Sequence, residues 1–137
     1  MKKELKVLLL TLFFITPSLA QEYAVIANKK IKNLSTSQVK AIFLKKIRVI
    51  DGSSLVPLNL KARDPLREAF EKELLHMSFN RLKKYWTKKH YLGVRPPITL
   101  KSQESIKTFV KKVDGAISYV EATQIDDDVN VLYRWED

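Results

Sequence analysis

Apolar positions along this chain recur at two spacings, and punctuation residues separate the runs. Residues 23–27 (YAVIA) are continuous and rich in β-favouring side chains, which predicts a buried strand. Residues 34–39 (LSTSQV) form a helix start, with Ser35 capping the backbone and Gln38, three residues on, reaching back to it. Leu34 and Val39 flank that box at staple spacing, and Val39, Ile42 and Phe43 fall on one helical face. Asp51-Gly52 then stands between residues 47–50 and 55–60; the pair tolerates positive φ and predicts a hairpin or tight turn. Pro57 lacks an amide donor, which places the second of those strands at a sheet edge or shortens it.

Asp64-Pro65 opens a second helix, with Asp as cap and Pro at the first helical position, and Leu66, Ala69, Phe70 and Leu74 as its buried stripe. Ser78 caps a third, in which Phe79, Leu82 and Trp86 are spaced to face inward. Gly93 and Pro96-Pro97 mark an irregular connection. Ser102 begins a fourth helix carrying Ile106, Phe109 and Val110, ended by Gly115, and residues 116–120 and 129–133 read as strands. Alternation of strands and helices predicts an α/β fold with a mixed sheet flanked by helices.

The first twenty residues stand apart from that pattern. Lys2, Lys3 and Lys6 precede an apolar run over residues 7–15, then Pro17 and the small residues Ser18 and Ala20. This order predicts a secretory signal over residues 1–20, cleaved after Ala20, and a single domain over residues 21–137. The run is about half of the roughly 20 residues a spanning helix needs, so no membrane span is expected after cleavage. The expected location is the periplasm. The remaining 117 residues hold 22 Lys+Arg against 14 Asp+Glu, a formal charge of +8, enough to draw anionic solutes or surfaces without specifying one.

Composition removes much conventional chemistry. With no Cys there is no thiol nucleophile, disulfide or Cys-ligated metal site. Three Gly leave little room for a Gly-rich phosphate loop, and neither GxGxxG nor GxxxxGK[ST] occurs; GxSxG is absent too. His76 and His90 are isolated, and Asp126-Asp127-Asp128 lacks the interleaved pattern of a calcium loop, so no metal or cofactor is expected. The expectation is a protein that is not an enzyme.

Several segments in order resemble a known family. They are residues 41–46 (AIFLKK), Asp51-Gly52, residues 55–58 (LVPL), residues 65–70 (PLREAF), Tyr85-Trp86, Arg95-Pro96-Pro97 and residues 115–120 (GAISYV). Together they resemble the small type II periplasmic-binding-protein-like family related to the phosphate-binding proteins of ABC transporters, over about residues 23–120. The resemblance implies one lobe of a protein that ordinarily holds an anion between two. It also implies an Arg followed by Ser-Gly-Thr at a helix start. Here Asn59 stands near the Arg position, and Arg63-Asp64-Pro65 replaces Ser-Gly-Thr. Pro65 removes an amide donor and Asp64 puts negative charge where an anion would sit, so the family's ligand residues do not carry over.

Lys61, Arg63 and Arg67 surround the helix start at Asp64. In one reading they form a basic oxyanion pocket that uses side-chain charge instead of hydroxyls. In the other, which weighs more, Asp64 caps its own helix and the basic residues pair with it or with solvent. An exposed anion gains only about 0.3–1 kcal/mol from a helix end, too little to rescue a poor pocket. Arg67 has a structural alternative as well, pairing with a buried carboxylate or stacking on Trp86. Basic clusters at Lys29-Lys30-Lys32, Lys45-Lys46-Arg48 and from Arg81 to His90 read as solvated faces; nucleic acid is not an expected partner of an exported protein. The implied function is non-enzymatic solute binding, of phosphate or another oxyanion for an ABC transporter. The alternative is an envelope protein-interaction module that has lost its ligand.

Overall fold

The continuous apolar run at the start of the domain becomes β1 (Glu22–Asn28), in which Ala24 to Ala27 are entirely buried. A strand buried on both faces belongs in the interior of a covered sheet, and β1 lies there, with a strand on either side. After α1 (Thr36–Phe43), β2 (Val49–Ile50), β3 (Ser53–Ser54), β4 (Val56–Asn59), α2 (Pro65–Phe70), α3 (Phe79–Tyr91), β5 (Ile98–Thr99), α4 (Gln103–Lys112), β6 (Ala116–Glu121) and β7 (Val129–Glu136), the main sheet has the order β5-β4-β6-β1-β7. β4 runs parallel to β5 and β6, and β1 is antiparallel to both β6 and β7. A computed structural model describes Leu10, Thr11 and residues 20–137. The expected signal therefore lies, apart from Leu10, Thr11 and Ala20, outside the described residues. Among the described residues no helix is long and apolar enough to cross a membrane.

Local signals act where the sequence places them. Ser35 Oγ accepts from the Gln38 amide at 3.1 Å and Gln38 Oε1 accepts from the Ser35 amide at 2.8 Å, closing both halves of the capping box. Asp64, Ser78 and Ser102 each cap their helix through the side chain. Asp51 and Gly52 both adopt positive φ, 49° and 79°, as a tight hairpin turn requires. α1 and α2 bring Phe43 and Phe70 onto Tyr119 of β6, with the Phe70 and Tyr119 rings stacked at 4.3 Å. α4 packs Ile106 and Val110 against β6 and β1.

Four expectations need correction. The hairpin is only two residues deep on each side, and the second strand then leaves it to join the main sheet as β4. Of the two outcomes expected of Pro57, the edge position does not hold, since β4 lies between β5 and β6, while the strand is the shorter one, Val56–Asn59 against 55–60. Val56 donates to the Gly115 carbonyl on the β6 side, so alternation turns position 57 toward β5. There the partner strand begins only opposite Leu58, and the missing donor costs no ladder bond. The second helix stops as α-helix at Phe70 and continues as a π-turn over Glu71–Leu75, ended by His76 in the left-handed region at φ 51°. The last strand runs three residues further than expected, to Glu136, where Trp135 is buried against Tyr23.

Candidate functional site

Parallel strands β4, β5 and β6 send their carboxyl ends to one edge of the sheet, and open α/β sheets place ligands in the crevice outside that edge. Two helices begin there. β4 ends at Asn59 and the chain reaches the α2 cap at Asp64 within five residues; β5 ends at Thr99 and reaches the α4 cap at Ser102 within three. The Leu100 amide donates to the Asn59 carbonyl at 2.8 Å, and Gln103 Oε1 accepts from the Glu121 amide at 2.8 Å, tying the three strand ends together.

The polar groups at this edge are largely committed to one another. Tyr119, fully buried, donates its hydroxyl to Asn59 Oδ1 at 2.9 Å and accepts from the Leu60 amide at 3.1 Å. Burial pushes that phenol far above its ordinary range, so it remains a neutral donor. The Leu60 carbonyl accepts from Arg67 Nη1 at 2.8 Å, and Arg67 Nε pairs with Glu71 at 3.3 Å. Glu71 is buried, and its carboxyl is held above the usual range because burial outweighs the guanidinium beside it. Asp64 Oδ1 accepts from the Leu66 amide at 2.9 Å, and Pro65 has no amide to offer.

The three sequence-predicted site residues therefore divide. Arg67 is half-buried and holds Leu60 and Glu71, the buried-carboxylate alternative rather than a stack on Trp86. Lys61 and Arg63 lie exposed in the loop between β4 and α2. Arg63 adopts φ 73° and lays its guanidinium over the Phe79 ring at 4.0 Å. Trp86 is half-buried with its edge against Tyr85, not enclosed in the core. Beside the site, a concavity of about 480 Å³ is lined by Glu68, Glu71, Lys72, His76, Met77, Ser78 and Phe79. Two carboxylates against one lysine make it a poor anion cup. At the acidic run, Lys111 reaches Asp126 at 2.9 Å and Asp128 at 3.2 Å, so an ammonium occupies the place a cation would take.

Sequence reasoning missed the Asn59–Tyr119–Leu60 link and the Glu71 partner of Arg67. The second carried a signal, since Arg67 and Glu71 stand at i and i+4 in a helical segment. The first joins residues sixty positions apart and carried none.

No family model and no curated protein matches this chain. Solved structures do. An ABC-type phosphate transport receptor from Vibrio cholerae superposes with a TM-score of 0.66 at 18% identity, over 82% of this chain and 45% of that one. A protein described as a phosphate ABC transporter substrate-binding protein, with bound phosphate, from Clostridium perfringens gives 0.60 at 20% identity, over 82% and 45%. PstS from Borrelia burgdorferi gives 0.62 at 14%, over 82% and 47%. At such identities the likeness is one of fold: this chain has the α/β architecture of a single periplasmic-binding-protein-like lobe. It spans just under half the length of each of those structures.

Proposed function

We propose that this chain is an exported, non-enzymatic solute-binding-like lobe that takes an oxyanion such as phosphate on behalf of an ABC transporter. The observation that carries the reading is the position of Lys61 and Arg63. They stand exposed at the carboxyl edge of β4, in a fold shared with a phosphate transport receptor. In this reading the leader is removed after Ala20 and the remaining residues work outside the cytoplasm. Lys61 and Arg63 supply charge, and Arg67 does not touch the ligand but braces the loop that carries them. One lobe covers an anion from one side only, so affinity is low until a second copy or another protein surface closes over it.

Calorimetry of the purified chain with phosphate and with sulfate tests this directly. The expected result is a Kd on the order of 1 mM for phosphate, abolished in Lys61→Gln/Arg63→Gln, with the melting temperature of the free protein lowered by only a few degrees through loss of the Arg63–Phe79 contact. Absence of heat and of any thermal shift at about 10 mM phosphate would overturn it, since a ligand that binds only the native state must stabilise that state. A second reading has its own support: Asn59, Asp64 and Arg67 are all spent on internal bonds. It makes the chain an envelope interaction module that kept the scaffold and lost the solute. That version expects no anion response and stoichiometric co-purification with a protein.

A further inference from the structure

α3 is held to the molecule along a narrow strip. Of its thirteen residues only Leu82 is buried, and the Tyr85 hydroxyl anchors it by donating to the Leu44 carbonyl at 2.6 Å. The outward side carries Arg81, Lys83, Lys84 and Lys88, all exposed. Lys84, Lys88 and Tyr91 follow at i, i+4 and i+7 and form one stripe along the helix. Tyr91 is 83% exposed and leads into Leu92 at 72%; the connection beyond adds exposed Arg95 and Ile98.

Charge is segregated along the chain in the same place. Residues 74–103 contain seven Lys+Arg and no Asp or Glu, whereas residues 104–137 contain four against eight. An ordinary solvated helix mixes signs, because like charges at i and i+4 such as Lys84 and Lys88 oppose helix formation. Here no acidic neighbour in the segment relieves that repulsion. Exposed single apolar residues are common on surfaces, but an aromatic and a leucine at the tip of an acid-free basic helix form a specific combination. Lysine stems lie along an interface while their ammonium groups reach outward, and tyrosine places an apolar ring and a polar hydroxyl at headgroup depth.

We propose that α3 and the turn after it dock this protein on an anionic lipid bilayer. Arg81, Lys84, Lys88 and Arg95 meet headgroup phosphates, and Tyr91 and Leu92 enter the interfacial layer. A bilayer is favoured over an acidic protein because the exposed apolar groups stand at a helix end and turn. They do not make the flat patch of roughly 800 Å² per partner that a stable protein interface buries. A lipid surface closes around such a tip. The proposal is independent of the oxyanion reading, since neither Lys61 nor Arg63 belongs to this stripe.

Co-sedimentation of the full chain with phosphatidylcholine vesicles, with and without phosphatidylglycerol, tests it. Residues 1–20, whose Lys2, Lys3 and Lys6 also respond to phosphatidylglycerol, are the same in every variant, so differences between variants on the same vesicles report the substituted positions. Phosphatidylglycerol-dependent binding is expected to fall about fivefold for each charge removed in Lys84→Gln/Lys88→Gln. It is expected to fall also in Tyr91→Ser/Leu92→Ser, whose charge is unchanged, and to stay near wild type in Lys32→Gln/Lys46→Gln. All the substituted side chains are exposed or half-exposed to solvent, and unchanged melting curves would verify folding. Equal binding to both vesicle types overturns the proposal. So does an equal loss in the Lys32/Lys46 variant, which would mean bulk charge alone, or tighter binding to soluble polyglutamate than to the anionic vesicles.

Discussion

Tyr119 shows how much one side chain decides at the residue scale. Its ring stacks on Phe70 while its hydroxyl bridges Asn59 and the Leu60 amide, so it serves the core and the sheet edge together. Tyr119→Phe keeps the stack and strands two buried polar groups; unfolding in urea should show a loss of about 2 kcal/mol. A cost near zero would mean that the link carries no load. Glu71 makes a different prediction, through pH. Its folded carboxyl is raised above the ordinary value of 4.5 by burial. The stability it contributes is therefore complete below that value and is lost as pH rises through the folded one. Glu71→Gln does not titrate. The variant should gain on wild type from about pH 4.5 upward and level off once Glu71 is ionised in both states. A flat difference across that range would mean that the Arg67 guanidinium fully offsets the effect of burial.

Among the elements, the joint between the hairpin and the main sheet is the tightest point. A Cβ at Gly115 would lie 1.7 Å from the Ser54 carbonyl oxygen, which is backbone and has no rotamer to change. Gly115 also accepts from the Val56 amide at 2.8 Å, so the close approach is what lets β4 enter beside β6. Gly115→Ala should cost about 3 kcal/mol or prevent folding. Gly52→Asn, at positive φ in open space, should cost less than about 1 kcal/mol. Urea midpoints of the two variants check the contrast. The helix caps at Ser35, Asp64, Ser78 and Ser102 were all legible because a cap involves residues two or three apart. The π-turn after Phe70 was not, since nothing in its local residues departs from an ordinary helix. The edge position expected of Pro57 failed for a related reason: a missing donor marks where a ladder bond is absent, and only the position of β5 shows that the gap falls inside the sheet.

For the whole molecule, the proposed solute capture has to work in a chain that spans just under half the length of the phosphate-transport structures it resembles. The phosphate titration belongs at this scale, because in the proposed reading affinity depends on what closes over Lys61 and Arg63 as much as on those residues. So does the vesicle experiment, which turns on a charge imbalance spread over thirty residues. The four capped helices, the strands β1, β6 and β7 and the α/β class followed from the sequence alone, because they rest on periodicity, capping and short spacings; β5 did not, since Ile98–Thr99 follows directly on what reads as an irregular connection. The shared role of Asn59, Tyr119, Arg67 and Glu71 was decided only by the tertiary structure, as was the exposure that separates Lys61 and Arg63 from Arg67. Both depend on β4 lying beside β6 with α2 above them, and contacts between residues sixty positions apart leave no trace in local pattern.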